Sequence, residues 1–444
     1  MSKTLRALYS SCLLIALAAT IRADGIDDHV RAEMKRQNIP GISIAVVKDG
    51  KTIKAQGYGL ANLELEVPAS AETVYKIASV SKQFIASGIL LLVQENKIDL
   101  NDKISKYLVS TPDTWKDITV RHLLTHTSGI VREPPAYDPL KIQNDADVIK
   151  SAYPLPLRFP PGERFEYSNT GYFILAEIIS KVTQKTWTNY LSERLFTPLG
   201  MAATRPTSVS ALVPKRADGY VRVDNKPQNA EDYLAVRPSG AFLSSVSDLA
   251  KWDGALYTNS ILNQSMREQM WSPVALHNGN SHPYGFGWYL ETIANHRAVR
   301  HGGSLPGFRA EFIRFTDDKL SIILLANGDN ANLGPLALVI ADHYISGLFP
   351  QRKAVKLDPK ILETYVGKYQ PNPASVLSVT REGDRLWLEA NNERRELIAE
   401  SEESFFTPTD PRQTFNFVKD EKGSVISLRL LVEGREVGRA RKIE

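Results

Sequence analysis

The chain has 444 residues, of which 43% are hydrophobic and 23% are charged, as in ordinary globular proteins. This length allows two or three domains. The formal net charge is only +4, which gives no basis for nucleic-acid binding.

Residues 1–23 have the pattern of a secretory signal peptide. A lysine and an arginine precede a short apolar core, Leu13–Ala19, and cleavage could follow Ala19 or Ala23. The apolar run is short for a membrane span, and no later segment is long and apolar enough to be one. We therefore expect a mature chain without a membrane span, located in the periplasm or secreted.

The only cysteine, Cys12, lies inside this leader. The mature protein would then contain no disulfide, no thiol nucleophile and no metal site built from cysteine. An exported protein without disulfides suits a bacterial periplasm or the cell exterior.

Hydrophobic periodicity predicts strands at both ends of residues 24–350 and helices between them. The predicted helices are Gly25–Asn38, one that begins near Ser79 and continues through Ile85–Val93, Thr119–Leu124, Tyr172–Val182, Ser245–Ala255 and Leu333–Leu348. The predicted strands are Ile42–Val47, Lys51–Tyr58, Arg309–Phe315 and Lys319–Ala326. One antiparallel sheet made from both ends and flanked by helices, an α+β fold, fits this order.

Two stretches outside these elements are distinctive. Residues 131–163 are irregular and rich in proline, and a long loop of this kind in a compact domain is more often functional than idle. Residues 351–444 have a different sequence pattern. After a boundary near Lys356–Pro359, short runs of alternating apolar and polar residues are separated by turns that contain glycine. They predict a small antiparallel β-domain, barrel-like in form.

The strongest chemical signal is Ser79-x-x-Lys82, the only Ser-x-x-Lys in the chain. A three-residue spacing on a helix places both side chains on one face. A serine hydroxyl needs a neighbouring base to become a nucleophile, and a lysine in a dry site can lose its proton and act as that base. The pair alone occurs often by chance, so its interpretation depends on partners elsewhere in the chain.

Two further motifs supply plausible partners, namely Tyr167-Ser168-Asn169 and His301-Gly302-Gly303. Together with Ser79-x-x-Lys82 they make the chain resemble the serine β-lactamase and penicillin-binding-protein superfamily, in its class C and DD-peptidase/esterase branch. The resemblance covers roughly residues 25–348. It is reinforced by Leu123-Leu124-Thr125-His126-Thr127-Ser128-Gly129 and by Tyr284-Gly285-Phe286-Gly287-Trp288.

Charge and reach suggest roles for these residues. Ser79 would attack a carbonyl, while Lys82 and Tyr167 together take its proton and return it to the leaving group. A tyrosine serves as a base only if nearby cations lower its pKa, and Lys82 is such a cation. Asn169 offers a donor and an acceptor to a substrate amide or to Lys82.

The resemblance implies an oxyanion hole made by the backbone N–H groups of Ser79 and Ser304, with His301 and Gly303 beside the substrate. His301 stands where many β-lactamases have the lysine of a Lys-Thr-Gly motif. Histidine is mostly neutral at pH 7 and glycine has no hydroxyl, so we expect weak recognition of a β-lactam carboxylate. Arg309 could restore a positive charge or could be a solvated strand residue.

Other candidate motifs carry less weight. Tyr257-Thr258-Asn259 and His277-Asn278-Gly279 match the second and third motifs but lack the flanking residues. His122 and His126 are four residues apart, but no glutamate lies between them as in zinc proteases. We expect no metal and no cofactor. No Gly-x-Ser-x-Gly occurs, which argues against an α/β-hydrolase.

These observations predict an exported serine hydrolase that acts on an ester, an amide or a D-amino-acid peptide through an acyl-enzyme. The alternative is a binding or sensor module on the same fold that captures an acyl ligand without turnover. The partner would be a small molecule or peptide substrate. The β-rich tail resembles lipocalin-like domains appended to D-aminopeptidase and esterase relatives, where it either limits access to the site or acts as a spacer.

Overall fold

A computed structural model describes residues 25–208, 210–224, 226–233, 237–240, 242–390 and 393–444. The predicted leader, residues 1–23 with Cys12, lies outside the described residues. The chain divides into two compact units, the first ending at Ala337 and the second comprising Leu338–Glu444.

Short helices and strands alternate along the described chain. The helices are α1 (residues 25–37), α2 (Lys82–Gln94), α3 (Val120–Leu124), α4 (Asp145–Lys150), α5 (Asn169–Thr183), α6 (Trp187–Leu191), α7 (Val246–Ala255), α8 (Gln264–Met270), α9 (Leu333–Asp342) and α10 (Pro359–Tyr365). Turns of 3-10 helix lie at Ala78–Ser81, Ile104–Lys106 and Asp113–Trp115, and a π-helical turn at Ser192–Phe196.

The strands fall into a first group that belongs to the first unit and a second group that belongs to the second unit. The first group is β1 (Gly41–Lys48), β2 (Lys51–Asn62), β3 (Val67–Pro68), β4 (Tyr75–Lys76), β5 (Arg205–Pro206), β6 (Tyr220–Val223), β7 (Lys226–Asn229), β8 (Phe242–Ser244), β9 (Val274–Ala275), β10 (Ser281–His282), β11 (Tyr289–Ile293), β12 (His296–Leu305), β13 (Phe308–Phe315) and β14 (Leu320–Ala326). The second group is β15 (Gly367–Asn372), β16 (Ser375–Glu382), β17 (Arg385–Ala390), β18 (Glu393–Ala399), β19 (Ser404–Phe406), β20 (Gln413–Lys419), β21 (Val425–Val432) and β22 (Arg435–Lys442).

The first unit is built on an antiparallel sheet in the order β11-β12-β13-β14-β1-β2-β3. Strand β1 pairs with β14, so that Ile44 lies opposite Leu324. Both strands are buried almost along their whole length, as expected for a central pair covered on two faces. The prediction of one sheet made from the two ends of this region is therefore confirmed.

Helix α2 lies in the core and is buried from Lys82 to Leu92. A glycine in its middle permits this close packing, because a Cβ at Gly88 would lie 2.6 Å from Leu191 and 3.0 Å from Ile179. The apolar run after Ser79 thus marks a helix surrounded by protein, as its composition predicts.

The predicted helix Leu333–Leu348 is too long. Helix α9 ends at Asp342, whose carboxylate accepts the N–H of Phe349 at 3.0 Å, and Gly347 has a φ of 75°. The residues after Asp342 are apolar enough to continue a helical pattern, but this side-chain-to-backbone contact and the left-handed glycine form a turn instead.

The second unit contains a closed antiparallel barrel in the order β15 to β22, in which β15 also pairs with β22. Helix α10 precedes the barrel and begins at the N-cap Asp358, with Pro359 as its first residue. The predicted barrel-like β-domain is confirmed. Across the described residues, no helix combines the length and apolarity needed to cross a bilayer.

Candidate active site

A short paired strand and a helix flank Ser79. Strand β4 precedes Ser79 and pairs with β8, in the register Tyr75 to Ser244. Ala78 has a φ of 48°, a left-handed conformation that is strained for a residue with a Cβ. Ser79 follows in a 3-10 turn and is half-buried, so its hydroxyl stands at the surface of a rigid, buried helix start.

Lys82 is fully buried at the start of α2. Its Nζ lies 3.1 Å from Ser79 Oγ, 2.9 Å from Asn169 Oδ1 and 2.8 Å from the Ser239 carbonyl oxygen. Burial lowers the pKa of Lys82 well below that of a free lysine, and the Arg237 guanidinium lowers it further. The predicted Ser–Lys pair is therefore in contact, in an environment that favours the neutral amine.

Tyr167 lies beside this pair. Lys82 Nζ is 4.8 Å from the Tyr167 ring centroid, and the Ser79 side chain is near enough to influence the pKa of the phenol. Our expectation that nearby cations leave this phenol with a lowered pKa is wrong. Burial raises the pKa of Tyr167, and it outweighs the opposing contributions of the Ser79 hydroxyl and of the Arg237 and Arg132 charges.

Asn169 is the first residue of α5, and the preceding Ser168 caps the helix by accepting the Gly171 N–H. The Asn169 side chain accepts a hydrogen bond from Lys82 through Oδ1 and donates through Nδ2 to Glu133. Its amide thus links the buried lysine to a carboxylate.

Glu133 and Arg237 complete this network and were not predicted. Arg237 Nη2 donates to both Glu133 oxygens, at 2.8 and 2.9 Å, and its Nε donates to Ser239 Oγ at 2.9 Å. Glu133 lies in the proline-rich loop 131–163, which therefore borders the site. An acid next to two prolines in that loop was the available signal for Glu133. No sequence pattern marks Arg237.

His301 is placed near the site but is only 2% exposed. Its Nε2 lies 3.2 Å from the Tyr284 hydroxyl, which lies equally far from His126 Nε2. Burial, with a smaller contribution from the Lys82 charge, lowers the pKa of His301 to about 3, so the ring is neutral. The His301 ring therefore braces Tyr284 and His126 within the protein.

The second glycine after His301, Gly303, explains why β12 approaches the Ser79 turn so closely. A Cβ at Gly303 would lie 2.3 Å from the Ile77 carbonyl oxygen, whereas one at Gly302 would meet nothing nearer than 3.6 Å. Strand β11 pairs only as far as Arg300, so the next residues of β12 run past the turn. Ser304, at the end of this stretch, is exposed.

The other residues that the sequence analysis considered make contacts away from the Ser79–Lys82 pair. Arg309 donates to the carbonyls of Leu305 and Phe308 and so binds its own loop. The ring of Tyr257 packs against Arg314, 4.6 Å from the guanidinium carbon. His122 Nδ1 accepts the Thr119 N–H in a helix cap. Within the described ranges, no three metal-ligating side chains of the His, Cys, Asp and Glu type form a group.

The Tyr284-Gly285-Phe286-Gly287-Trp288 motif packs against the helix that carries Lys82. Gly287 has a φ of 77°, and a Cβ there would lie 3.0 Å from the Lys82 carbonyl. A Cβ at Gly285 would lie 2.0 Å from the Met270 carbonyl oxygen. Both glycines are needed because backbone passes backbone without room for a side chain.

Fold and site together define a protein of the β-lactamase/transpeptidase type, with a buried lysine against a partly exposed serine. The family model described as "Beta-lactamase" matches residues 26–344, and one described as "Domain of unknown function (DUF3471)" matches residues 351–440. The chain belongs to the β-lactamase family.

Several known proteins are similar to the chain. "Penicillin-binding protein 4*" of Bacillus subtilis is 31% identical over 399 residues, covering 82% of this chain and 87% of that protein. The octameric penicillin-binding protein homologue from Pyrococcus abyssi superposes with a TM-score of 0.66 at 24% identity, over 95% of this chain and 100% of the other. The D-amino acid amidase from Ochrobactrum anthropi SV3 superposes with a TM-score of 0.61 at 25% identity, over 73% of this chain and 95% of the other.

Proposed function

We propose that this protein is a serine hydrolase that forms an acyl-enzyme at Ser79 and acts on an ester, an amide or a D-amino-acid peptide. One observation carries the proposal: the Ser79 hydroxyl lies 3.1 Å from the amine of a lysine that has no solvent exposure. A buried lysine of lowered pKa beside a serine is the arrangement that activates a hydroxyl at neutral pH.

The neighbours of Lys82 suit a neutral amine acting as the base. Its two N–H groups donate to Asn169 Oδ1 and to the Ser239 carbonyl, which leaves the lone pair directed at the Ser79 hydroxyl. Tyr167 remains a protonated phenol, because burial raises its pKa. Its hydroxyl lies beside the same serine and keeps its proton.

In the acylation step, Lys82 takes the Ser79 proton as Oγ bonds to the substrate carbonyl carbon. The carbonyl oxygen becomes an oxyanion, which the resemblance assigns to the N–H groups of Ser79 and Ser304. Collapse of this intermediate breaks the bond to the leaving group, which receives the proton from Lys82 by way of Tyr167.

In the second step, water attacks the acyl-enzyme, and Lys82 takes one of the water protons. The ester bond to Ser79 breaks, the acid product leaves, and the proton returns to Oγ. Each turnover thus consumes one water molecule and restores Ser79, Lys82 and Tyr167 to their starting states.

The groups around the site bear on the substrate class. His301 is neutral and buried, so this motif offers no cation to a β-lactam carboxylate, unlike the lysine of Lys-Thr-Gly. The similarity to a D-amino acid amidase supports substrates with an amide or a D-residue. We place an efficient β-lactamase last among the candidates.

Substitution of the nucleophile tests the proposal. We expect Ser79→Ala to lower hydrolysis of p-nitrophenyl acetate or butyrate by roughly 10⁴-fold or more, because no acyl-enzyme can form. Ser87→Ala is the matched control, since Ser87 lies further along α2 and its hydroxyl donates to the Gln83 carbonyl. Turnover retained in Ser79→Ala would refute the nucleophile assignment.

A substrate panel separates the hydrolase from a binding module without turnover. The purified protein would be tested with short-chain esters, nitrocefin, D-alanyl-D-alanine peptides and D-amino-acid amides. Sustained turnover of any of them supports the hydrolase. Stoichiometric labelling of Ser79 by a fluorophosphonate or penicillin, with no turnover anywhere in the panel, would favour the sensor.

We also propose the organisation of the chain around this activity. Residues 1–23 direct export and are removed, residues 24–350 form the hydrolase domain, and residues 351–444 form the appended β-domain. The mature protein would then work in the periplasm or outside the cell on a small-molecule or peptide substrate.

A further inference from the structure

The two ends of the C-terminal barrel are filled differently. At one end helix α10 contributes Tyr365, whose ring stacks on Phe417 with centroids 4.3 Å apart. Phe405 and Tyr369 pack around this pair, at 5.3 and 5.8 Å from the Phe417 ring. This aromatic cluster closes that end of the barrel as an ordinary core.

The opposite end of the barrel is hollow. It encloses a cavity of about 390 Å³, within the range of small-molecule sites. Most of its wall is small or aliphatic. The lining residues are Pro371, Leu377, Leu388, Ala390, Arg395, Gln413, Phe415, Leu428, Leu430, Gly438, Arg439 and Ala440.

Small residues on the last strand create this space. Gly438 lies opposite Leu430 and Ala440 opposite Leu428, so these positions face the barrel interior together. A Cβ built on Gly438 meets no atom within 4 Å. A packed core seldom leaves such a gap, so an inward glycine beside open space is a feature that a ligand would explain.

Three polar residues share this apolar wall: Arg395, Gln413 and Arg439, whose guanidinium pairs with Glu436. Arg395 lies opposite Leu388 on the neighbouring strand and therefore faces inward with it. Gln413 Nε2 donates to Asp410, but its Oε1 is buried and has no hydrogen-bond partner among the described residues. An unpaired buried acceptor costs free energy unless something supplies a donor.

We propose that the hollow end of this barrel is a binding site for a medium-chain aliphatic acid whose head also carries a hydrogen-bond donor, as in a 3-hydroxy acid. The chain lies against Leu377, Leu388 and Leu430. The carboxylate meets Arg395, and the donor satisfies Gln413 Oε1. The site lies wholly within residues 371–440 and is additional to the proposed hydrolase activity.

The apolar wall predicts a chain-length series. Each methylene that enters the cavity is expected to tighten binding about fourfold, until the cavity is full. Titration calorimetry on the full-length protein, below micelle concentrations, would compare 3-hydroxy acids from six to fourteen carbons. A 3-hydroxy acid is expected to bind more tightly than the unsubstituted acid of equal length, because only the former donates to Gln413.

Filling the cavity provides the decisive variant. Gly438→Leu places a side chain in the open space, and we expect at least a tenfold loss of affinity for 3-hydroxydecanoate. The neighbouring Val437 is 59% exposed, so Val437→Leu alters a side chain outside the barrel, and this variant should bind as the parent does. Ester hydrolysis should be unchanged in both variants, which separates this site from Ser79.

The head-group assignment has its own test. Arg395→Leu should weaken 3-hydroxydecanoate at least tenfold while leaving decanol binding within about twofold, and decyltrimethylammonium should not bind the parent protein. If no chain length binds saturably, or if Gly438→Leu folds and binds as the parent does, the proposal is overturned. Equal binding of the ammonium and the acid would overturn the anionic head.

Discussion

The protonation state of Lys82 depends on two charged residues that the motifs do not contain. Arg237 lowers the pKa of Lys82 and Glu133 raises it, after the larger effect of burial. The proposed base is the neutral amine, so the acid limb of kcat/KM reports its pKa, and activity falls as pH drops through that value.

Removing the charge of Arg237 and removing the charge of Glu133 should move the acid limb of the pH profile in opposite directions. Arg237→Gln removes a cation, which raises the pKa of Lys82 and shifts the acid limb to higher pH. Glu133→Gln keeps an acceptor for Asn169 but removes the anion, so the limb shifts to lower pH. The measurement is the pH profile of kcat/KM for p-nitrophenyl butyrate.

A distant arginine provides the control for these two variants. Arg297 is 72% exposed, and Arg297→Gln should leave the profile in place. Shifts of Arg237→Gln and Glu133→Gln in the same direction would contradict Lys82 as the titrating base, since their charges act on it with opposite signs.

Tyr284 joins two buried histidines through one hydroxyl. Tyr284→Phe leaves His126 Nε2 and His301 Nε2 without this partner in a buried setting, and the free energy of unfolding should fall by about 1–3 kcal/mol. Tyr190→Phe is the matched control, because the Tyr190 hydroxyl is buried with no hydrogen-bond partner in the described part of the chain. Denaturant unfolding measures both, and equal losses would contradict the bridging role.

At the scale of elements, the site depends on how closely β12 passes the Ser79 turn. A methyl group on Gly303 would lie 2.3 Å from the Ile77 carbonyl oxygen, so Gly303→Ala must push strand and turn apart. We expect a fall in kcat of at least about 10²-fold, because small misplacements of reacting groups are costly.

The adjacent glycine distinguishes this effect from a general intolerance of the strand. Gly302→Ala adds the same methyl group with its nearest contact at 3.6 Å, so activity should stay within a few-fold of the parent. Both variants would be compared by steady-state kinetics after their folding is checked by circular dichroism. Similar kinetics of the two would show that the close approach is unimportant.

Much of this element pattern could be predicted because it is local. The apolar run behind Ser79 predicts a buried helix, and the alternation after residue 360 predicts short antiparallel strands. The end of α9 could not be predicted in this way. It depends on Asp342 accepting the Phe349 N–H, a contact that hydrophobic periodicity does not report.

At the scale of the whole molecule, we predict that the exported protein begins after Ala23. Residues 1–23 hold Lys3, Arg6 and Arg22 and no acidic residue, ahead of and around a short apolar core. Expression of the full chain in a bacterium, followed by mass spectrometry of the periplasmic fraction, should find Asp24 as the first residue.

An uncleaved start in the membrane fraction would contradict this prediction. Replacement of the core leucines Leu13, Leu14 and Leu17 by asparagine is the accompanying control, since it should trap the precursor in the cytoplasm by removing the apolar segment.

The sequence by itself determined the pairing of Ser79 with Lys82, the family, and the β-rich end of the chain. These depend on short spacings and periodicities, which can be read directly from the order of residues along the chain. Only the tertiary structure decided that the phenol of Tyr167 has a raised pKa, that Glu133 and Arg237 stand behind the lysine, and that the barrel is hollow at one end. Burial and charge at a point sum over segments far apart in the chain, so no local pattern contains them.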